Sequence, residues 1–343
     1  MTPFEAAAFA LLGALSVLVA GYALRALSAA TAIPEPDPAT QAKRAPVAAI
    51  VLGTSAMGLD RQAASVTRVE PAVAPPPGWS GRNWALAEAA RAARADWLLI
   101  TTDKTVWQEG SLAGLVAFAR GCNVEVVTLF GRQEATTAAE RAALPVIALG
   151  LAAASPLGAV NDPARPNVAL AFPECLLIRR SAWEAIDGLR LVASREEPWF
   201  ELARLVKASG RPIVAGSGRR LFSVAGGRNW SALCDRWARL IGRVTGGRGG
   251  LIVAAAMIVL AVNVLPFAWL AVGSLGLLLN PGSILWTMCG AIGLAQVGVV
   301  LGARRWIDRY TSAPAWFLIT HPLGGVMVVA ILLEALRRSG TTQ

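Results

Sequence analysis

The chain has 343 residues, of which 55% are hydrophobic and only 16% charged. This composition excludes an ordinary soluble enzyme and is typical of an integral membrane protein with a sizeable extramembrane domain. The net charge is +10 and nearly all cations are arginine, which suits an anionic bilayer surface or phosphate-bearing ligands. The cations are scattered and aromatic residues do not interleave with them on one face, so no nucleic-acid partner is predicted.

The first predicted element is an apolar segment, residues 4–24, which is long enough to span a bilayer. Basic residues follow this segment and do not precede it, which argues against a cleaved signal peptide. By the positive-inside rule, the cations from Arg25 onward place the N-terminus outside and the next region in the cytoplasm. We therefore predict a transmembrane helix within residues 1–31 and a Pro-rich tether over residues 32–45.

A globular domain is predicted next, over residues 46–245. Short apolar runs alternate there with helical patterns, which is typical of an α/β domain with a mostly parallel sheet. The predicted strands are 47–52, 97–100, 124–129, 176–178 and 213–214. The second of them runs into Thr101, Thr102 and Asp103. A carboxylate is thus expected at the C-terminal end of a strand, where open α/β sheets bind ligands.

A turn rich in proline and glycine precedes that strand. Residues 75–82 read PPPGWSGR, and a helix is predicted over residues 83–94. Prolines fix the backbone angle φ and glycines permit close backbone approach, so this is a shaped loop. Arg82 at its end is a candidate for binding phosphate.

Three more spans are predicted in a C-terminal membrane domain, residues 246–343, at 251–272, 284–301 and 313–333. Arg337 and Arg338 then fall on the wrong side for the positive-inside rule, so either the count is off by one or the last segment is re-entrant. The only histidine, His321, is predicted to be interfacial. Because the spans carry almost no charge, a transporter is a weak alternative.

An ordered set of motifs resembles the family 2 glycosyltransferases with the GT-A fold, and most closely their hopene-associated membrane subgroup. The set is PPGWSGRNWAL at 76–86, LITTD at 99–103 at the place of the family's DxD strand, VNDP at 160–163, CLLIRR at 175–180 and LCDRW at 233–237. One N-terminal span, a catalytic domain and a C-terminal membrane cluster follow the same order. The resemblance covers residues 47–336.

The resemblance implies an inverting transfer of a sugar from a nucleotide-sugar donor to a lipid or polyprenoid acceptor, of hopanoid type in that subgroup. The chain would lie in the cell inner membrane, with its globular domain cytoplasmic. A divalent cation, Mg²⁺ or Mn²⁺, would neutralise the leaving phosphates. A carboxylate base would take the acceptor proton.

The resemblance also implies roles for particular residues. Asp103 would bind the metal and the donor, and Arg82, Trp84 and Thr102 would bind the donor with it. The base would be Glu197, with Glu196 and Asp162 as alternatives. Arg236 and Trp237 would contact the acceptor or the diphosphate.

The sequence departs from the family pattern in places that matter for catalysis. The DxD motif is Asp103-Lys104-Thr105, and Gly53-Thr54 replaces the acids that grip the nucleoside. Glu196-Glu197 is one or two residues out of register with the expected base, and the Gln of QxxRW is absent. These departures favour a second hypothesis, a catalytically degenerate scaffold with a protein partner in a membrane glycolipid or polysaccharide assembly.

Overall fold

The computed structural model describes residues 3–40, 44–54, 56–154, 157–195, 198–227 and 229–340. The chain divides into two compact units. The sheet unit comprises Ala32–Gln133 and Pro156–Ala225, and the helical unit comprises Met1–Thr31, Glu134–Ser155 and Gly226–Gln343. Each unit is therefore built from segments that are separated in sequence.

Nine strands lie in the described part of the sheet unit. They are β1 Ala45–Leu52, β2 Ala63–Val69, β3 Trp97–Thr102, β4 Thr105–Trp107, β5 Val126–Phe130, β6 Arg132–Gln133, β7 Leu176–Arg179, β8 Ile213–Ser217 and β9 Phe222–Val224. Six of them form a sheet in the order β2-β1-β3-β7-β5-β8, and three form a small sheet in the order β4-β9-β6. In the larger sheet β7 is antiparallel to both neighbours, while the other neighbouring strands pair in parallel.

The described helices belong to both units. They are α1 Pro3–Thr31, α2 Gly81–Ala92, α3 Ser111–Gly121, α4 Ala138–Ala154, α5 Leu157–Asn161, α6 Arg180–Ala185, α7 Trp199–Ala208, α8 Trp230–Val244, α9 Gly249–Asn263, α10 Leu265–Leu279, α11 Ile284–Ile307 and α12 His321–Gly340. Three short 3₁₀ helices cover Arg190–Val192, Asp308–Tyr310 and Ala315–Thr320. The predicted helix over 83–94 is thus found two residues earlier, as α2.

The large sheet is buried on both faces, which is why its central strands read as continuous apolar runs. On one face of the sheet, Leu99 and Leu177 belong to the same buried cluster as Leu115 of α3. On the other face, Ile100 belongs to a cluster with Leu86 of α2 and Leu202 of α7. Each fully buried aliphatic side chain of this kind contributes roughly 1.5–3 kcal/mol. The sheet is therefore a rigid platform for whatever lies at its ends.

The described chain has four stretches long and apolar enough to cross a membrane: Phe9–Thr31, Gly249–Leu279, Ile284–Tyr310 and Ala315–Gly340. One precedes the sheet unit and three follow it. The predicted fold class is therefore confirmed: a mostly parallel α/β sheet domain with one N-terminal and three C-terminal membrane helices. The strand β2 was not predicted, because its sequence AASVTRV is only partly apolar and its side chains are largely exposed.

Helix α12 runs antiparallel to α9 within the helical unit. At one end His321 Nε2 lies 3.0 Å from Asn263 Oδ1, and at the other a Cβ on Gly249 would come within 3.0 Å of Leu336. The chain end carrying Arg337 and Arg338 therefore returns to where α9 begins. Both arginines bind Glu334.

The two units divide the chain differently from the predicted domains at three segments, namely helix α4, helix α8 and the tether. Helices α4 and α8 belong to the helical unit although they lie within residues 46–245. The predicted tether belongs to the sheet unit, where Ser217 N donates to Pro34 O at 2.9 Å. Arg219 binds both carboxylate oxygens of Glu35, at 2.7 and 2.9 Å. Residues 34 and 35 of the tether thus form a strap at the end of strand β8.

Candidate functional site

The carboxyl ends of the parallel strands meet at one edge of the large sheet, which we call the carboxyl edge. Gly53 follows β1 there and Asp103 follows β3, since Leu52 pairs with Thr102. Because β7 is antiparallel, the segment that enters it, with Glu174 two residues before the strand, lies at the same edge. This edge carries the predicted donor-binding residues Asp103 and Thr102, with Asp103 exposed and Thr102 half-buried.

Asp103 lies directly against Gly53. Its amide donates to Leu52 O at 3.1 Å. Gly53 has a φ of +109°, and a Cβ there would lie 2.5 Å from Asp103 Oδ2. Only glycine fits this backbone and this contact. The carboxylate is thus held on the β1 side of β3, where it can accept hydrogen bonds from ligand hydroxyls or bind a cation.

Thr105, which stands at the second acidic position of the DxD motif, faces inward. It is 1% exposed, and its hydroxyl donates to Thr102 O at 2.8 Å and accepts from Trp107 Nε1 at 3.0 Å. The chain turns inward here because β4 begins at this residue and pairs with β9. An acid at position 105 would therefore be buried. Of residues 103–105, only Asp103 offers a carboxylate to a ligand.

The described residues contain no group of three or more His, Cys, Asp or Glu side chains placed to hold a metal ion. Magnesium commonly binds through one or two carboxylates together with substrate phosphates and water. Asp103 fits that pattern as a single protein ligand. Lys104, exposed beside it, adds a positive charge at the same place.

The turn before α2 clamps another loop of the sheet unit. Asn83 is fully buried, and its Nδ2 donates to the carbonyls of Val192, Ala193 and Arg195 at 3.2, 3.0 and 2.7 Å. Ser80 caps the helix by accepting from Asn83 N at 3.2 Å. Asn83 therefore holds residues 192–195, the described segment that precedes Glu196 in the sequence.

Two other motif residues of this turn are predicted donor contacts. Arg82 is exposed on the first turn of α2. Trp84 is half-buried and packs edge to face on Trp79, with 5.3 Å between ring centroids. The guanidinium of Arg91 lies 6.0 Å from the Trp84 ring. Both candidates lie in the same unit as Asp103.

The predicted bases Glu196 and Glu197 lie outside the described residues. The third candidate, Asp162, is described. Its carboxylate accepts from Ala164 N at 2.9 Å and lies 3.4 Å from Arg165, so it shapes the turn after α5. The preceding residue, Asn161, binds both the N–H and the carbonyl of Ala215 at 2.7 and 2.9 Å.

Lys207 organises the same turn and was not identified from the sequence. Its side chain is buried, and its ammonium donates to the carbonyls of Val160, Asp162, Arg165 and Val168 at 2.9–3.0 Å. Burial lowers the pKa of Lys207, and the carbonyl oxygens favour its charged form. The sequence feature that could have identified Lys207 is a lysine on the apolar side of the amphipathic helix α7.

The remaining predicted site residues lie in the helical unit. Trp237 of α8 is buried against Val146 of α4 and Ile331 of α12. Arg236 is half-buried, with its guanidinium 5.8 Å from the Trp237 ring. Trp237 is thus a core residue of this unit, and Arg236 is the more accessible of the pair.

The segment entering α8 is held by Glu140, which was also missed. This carboxylate is 1% exposed and accepts from the amides of Thr136, Thr137 and Gly227. Thr137 and Glu140 form a capping box at the start of α4. The spacing Thr-x-x-Glu before an apolar run would have predicted it.

His321 is fully buried, so the prediction of an interfacial histidine was wrong. It lies 3.0 Å from Asn263 and 3.4 Å from Nη1 of Arg304. Arg304 is also fully buried and donates to Arg141 O at 3.0 Å. Asp308, 5% exposed, lies 3.8 Å from Arg304 Nε. Arg304 and Asp308 lie beyond the predicted span 284–301 but inside the described apolar stretch Ile284–Tyr310. Arg304 Nε and both carboxylate oxygens of Asp308 are buried there without a hydrogen-bond partner among the described residues.

No protein-family model matches the chain, and no curated protein matches it. Among solved structures, it is similar to a mannosyltransferase from Pyrobaculum calidifontis in complex with GDP-Man and Mn²⁺, with 16% identity, a TM-score of 0.39, and coverage of 94% of this chain and 98% of that chain. It is also similar to S. aureus TarS in complex with UDP-GlcNAc, with 9% identity, a TM-score of 0.30, and coverage of 86% and 92%. At these values we draw no conclusion about substrate or mechanism from either.

Proposed function

We propose that the chain is a membrane-bound inverting glycosyltransferase that moves a sugar from a nucleotide-sugar donor to a lipid or polyprenoid acceptor. The observation that carries the proposal is the carboxylate of Asp103, held against Gly53 at the carboxyl edge of a mostly parallel sheet. Ligands of open α/β sheets bind at that edge. The ordered motifs of the sequence support the reaction class.

In this proposal Asp103 binds the donor ribose or a divalent cation on the diphosphate. Such a cation, Mg²⁺ or Mn²⁺, would neutralise the leaving phosphates. Lys104 supports the same phosphates from the next residue. Thr102, Arg82 and Trp84 contribute further donor contacts from the same unit.

The proposed base is Glu197, with Glu196 and Asp162 as alternatives. The loop that leads to the acidic pair is anchored by Asn83, whose amide binds Arg195 O at 2.7 Å. A general base must lie within hydrogen-bond reach of the acceptor hydroxyl. Asp162 already has Arg165 and an amide as partners, which favours a structural role for it.

The acceptor is proposed to be a lipid because the chain carries four apolar helices of membrane-spanning length. Arg236 would contact the acceptor or diphosphate, with Trp237 supporting it from the core of the helical unit. The cations that follow the first helix support, by the positive-inside rule, a sheet unit on the cytoplasmic face of a cell inner membrane.

A second function is favoured by one observation, the inward-facing Thr105. A chain with a single carboxylate in this motif could bind a donor without turning it over. It would then serve as a scaffold with a protein partner in a membrane glycolipid or polysaccharide assembly.

The test is calorimetric titration of the detergent-purified protein with UDP-, GDP- and dTDP-sugars, with and without Mn²⁺. We expect saturable binding of one donor. Mn²⁺ should strengthen this binding, and Asp103→Asn should abolish it. Asp103 is exposed, so this variant keeps its fold, and Glu109→Gln on a nearby loop is the matched control. A folded protein that binds none of the donors would contradict the proposal.

Turnover separates the enzyme from the scaffold. Asp103→Asn and Glu197→Gln should each abolish transfer while expression stays normal. If both variants leave the cellular phenotype unchanged and deletion of the whole sheet unit alters it, the scaffold hypothesis is correct.

A further inference from the structure

The side chain of Lys207 ends inside a cage of backbone carbonyls. It is 6% exposed, and Ala159 O lies 3.5 Å from its Nζ. Four carbonyl oxygens lie closer, at 2.9–3.0 Å, and belong to Val160, Asp162, Arg165 and Val168. An ammonium group has only three hydrogens, so at least one of them is shared between two of these oxygens. The oxygens therefore surround a positive charge, as they do around a bound cation, instead of each accepting a hydrogen of its own.

The sequence of this segment supplies more acceptors than donors. Residues 157–168 read LGAVNDPARPNV, and the prolines at 163 and 166 have no N–H to donate. Ala159 and Val160 belong to the end of α5, where helix carbonyls lack partners within the helix and favour a positive charge. Because a buried carbonyl without a partner is costly, one cation that satisfies several carbonyls together stabilises this turn.

The cage also has backbone support in which Lys207 takes no part. Asp162 O accepts from Arg165 N at 3.2 Å, and Arg165 O accepts from Val168 N at 3.1 Å. Two successive turns thus bring the carbonyls of residues 162, 165 and 168 to the same point. Asn161 fastens the start of the segment to β8 through both peptide groups of Ala215, at 2.7 and 2.9 Å. These bonds favour retention of the arrangement of oxygens when the ammonium is removed.

The chemistry of the cage selects a monovalent cation. Backbone carbonyls can replace the hydration shell of such an ion, whereas protein sites for divalent cations use carboxylates. The nearby carboxylate of Asp162 accepts from Ala164 N at 2.9 Å and lies 3.4 Å from Arg165 Nε. In the described part of the chain, the ammonium is bonded to carbonyl oxygens alone. Cations that match this environment are K⁺, ammonium and primary alkylammonium ions.

We propose that residues 159–168 form a monovalent-cation site, which the chain fills with the tethered ammonium of Lys207 in place of a dissociable ion. The tether keeps the cation at a high effective concentration, so the site is occupied whatever the salt. Wild-type stability is then independent of K⁺, and removal of the ammonium uncovers a site for a cation from solution. This inference does not depend on the proposed transferase function.

The first experiment is cation rescue of Lys207→Ala, followed by thermal melting in detergent. The variant lacks the side chain beyond Cβ, and n-propylammonium reproduces the missing atoms. Its melting temperature is measured in n-propylammonium, ammonium and potassium chlorides, with choline chloride at equal ionic strength as the reference. We expect Lys207→Ala to melt below wild type and to regain part of the loss, with a gain that grows with the logarithm of the cation concentration.

Wild type and Arg204→Ala, which removes an exposed cation from the same helix, should gain nothing beyond the effect of choline. The proposal is overturned if none of the three cations raises the melting temperature of Lys207→Ala above the choline reference. An equal rise in Arg204→Ala would overturn it too, because the effect would then be a general one of salt.

A second measurement keeps Lys207 in place and decides the matter if Lys207→Ala does not fold. Lysine occurs only at positions 43, 104 and 207, so ¹⁵N-lysine labelling gives three side-chain signals, and the double variant Lys43→Gln, Lys104→Gln retains that of Lys207. At pH 7 we expect a protonated Nζ whose hydrogens exchange with water at least about tenfold more slowly than those of free lysine, because exchange requires the cage to open. A neutral amine, or exchange as fast as in free lysine, would refute the cage as a cation site.

Discussion

The carboxylate of Asp103 lies over the backbone of Gly53, and this contact joins the ends of two neighbouring parallel strands. A Cβ at residue 53 would meet three atoms of the Asp103 side chain within 2.8 Å. Gly53 therefore has a physical role of its own. It makes room for the carboxylate of Asp103.

Gly53→Ala is expected to displace Asp103 and weaken donor binding. The φ of +109° disfavours alanine and the new Cβ clashes with the carboxylate, so the protein should also lose roughly 1–3 kcal/mol of stability. Thermal melting in detergent and donor titration measure the two effects. Gly121→Ala is the control, since its Cβ would have open space and no positive φ. Unchanged donor affinity in Gly53→Ala would show that the position of Asp103 is not critical.

Lys104→Gln should weaken nucleoside diphosphate binding, most clearly without a metal ion. An exposed charge contributes about 0.5–1 kcal/mol, which corresponds to a loss of about two- to fivefold. The loss should shrink at high salt because screening weakens the attraction. Arg120→Gln, an exposed cation on α3, is the control. An identical affinity at low salt for Lys104→Gln and wild type would remove Lys104 from the phosphate site.

Asn83→Ala should destabilise the sheet unit. The substitution leaves three buried or half-buried carbonyls without their shared donor and opens a void at a fully buried position. A loss of about 2–4 kcal/mol is expected, seen as a lower melting temperature. Glu88→Ala, exposed on the same helix, should have little effect. Equal melting temperatures for both variants would show that the clamp on residues 192–195 does not matter for stability.

Lys207→Met should be among the most destabilising single substitutions in the sheet unit. Methionine fills similar space but removes the donor for four carbonyls, at a cost of about 3 kcal/mol or more. Arg204→Met removes an exposed cation from the same helix and is the matched control. Melting curves of the two variants give the comparison. If they coincide, the turn after α5 holds its shape without the ammonium.

Much of the sheet could be predicted from sequence, because strands buried on both faces are continuous apolar runs. All five predicted strands are present, each within two residues at its start. Strand β2 escaped prediction because its mixed sequence pairs on one side only, with β1. The membrane helices were likewise evident from length and hydropathy.

The candidate site was less predictable, because its determinants are long-range. Asp103 was found from its place after an apolar strand, but the inward turn of Thr105 depends on pairing with β9, more than 100 residues later. Lys207 and Asn83 bind backbone carbonyls far away in sequence, and a carbonyl leaves no trace in the residue type. The burial of His321 depends on the packing of α12 against α9, which apolar composition alone does not specify.

The chain passes between the two units four times, because α4 belongs to the helical unit while strands on both sides of it belong to the sheet unit. A soluble fragment of this protein therefore cannot be obtained by trimming the ends. A chain ending at Ala225 would keep the apolar helix α4 but lose α8 and α12, which cover it. Separating the sheet unit requires excision of residues 134–155 with a short replacement loop, and the fragment should begin at Ala32 so that the strap at the end of β8 is retained.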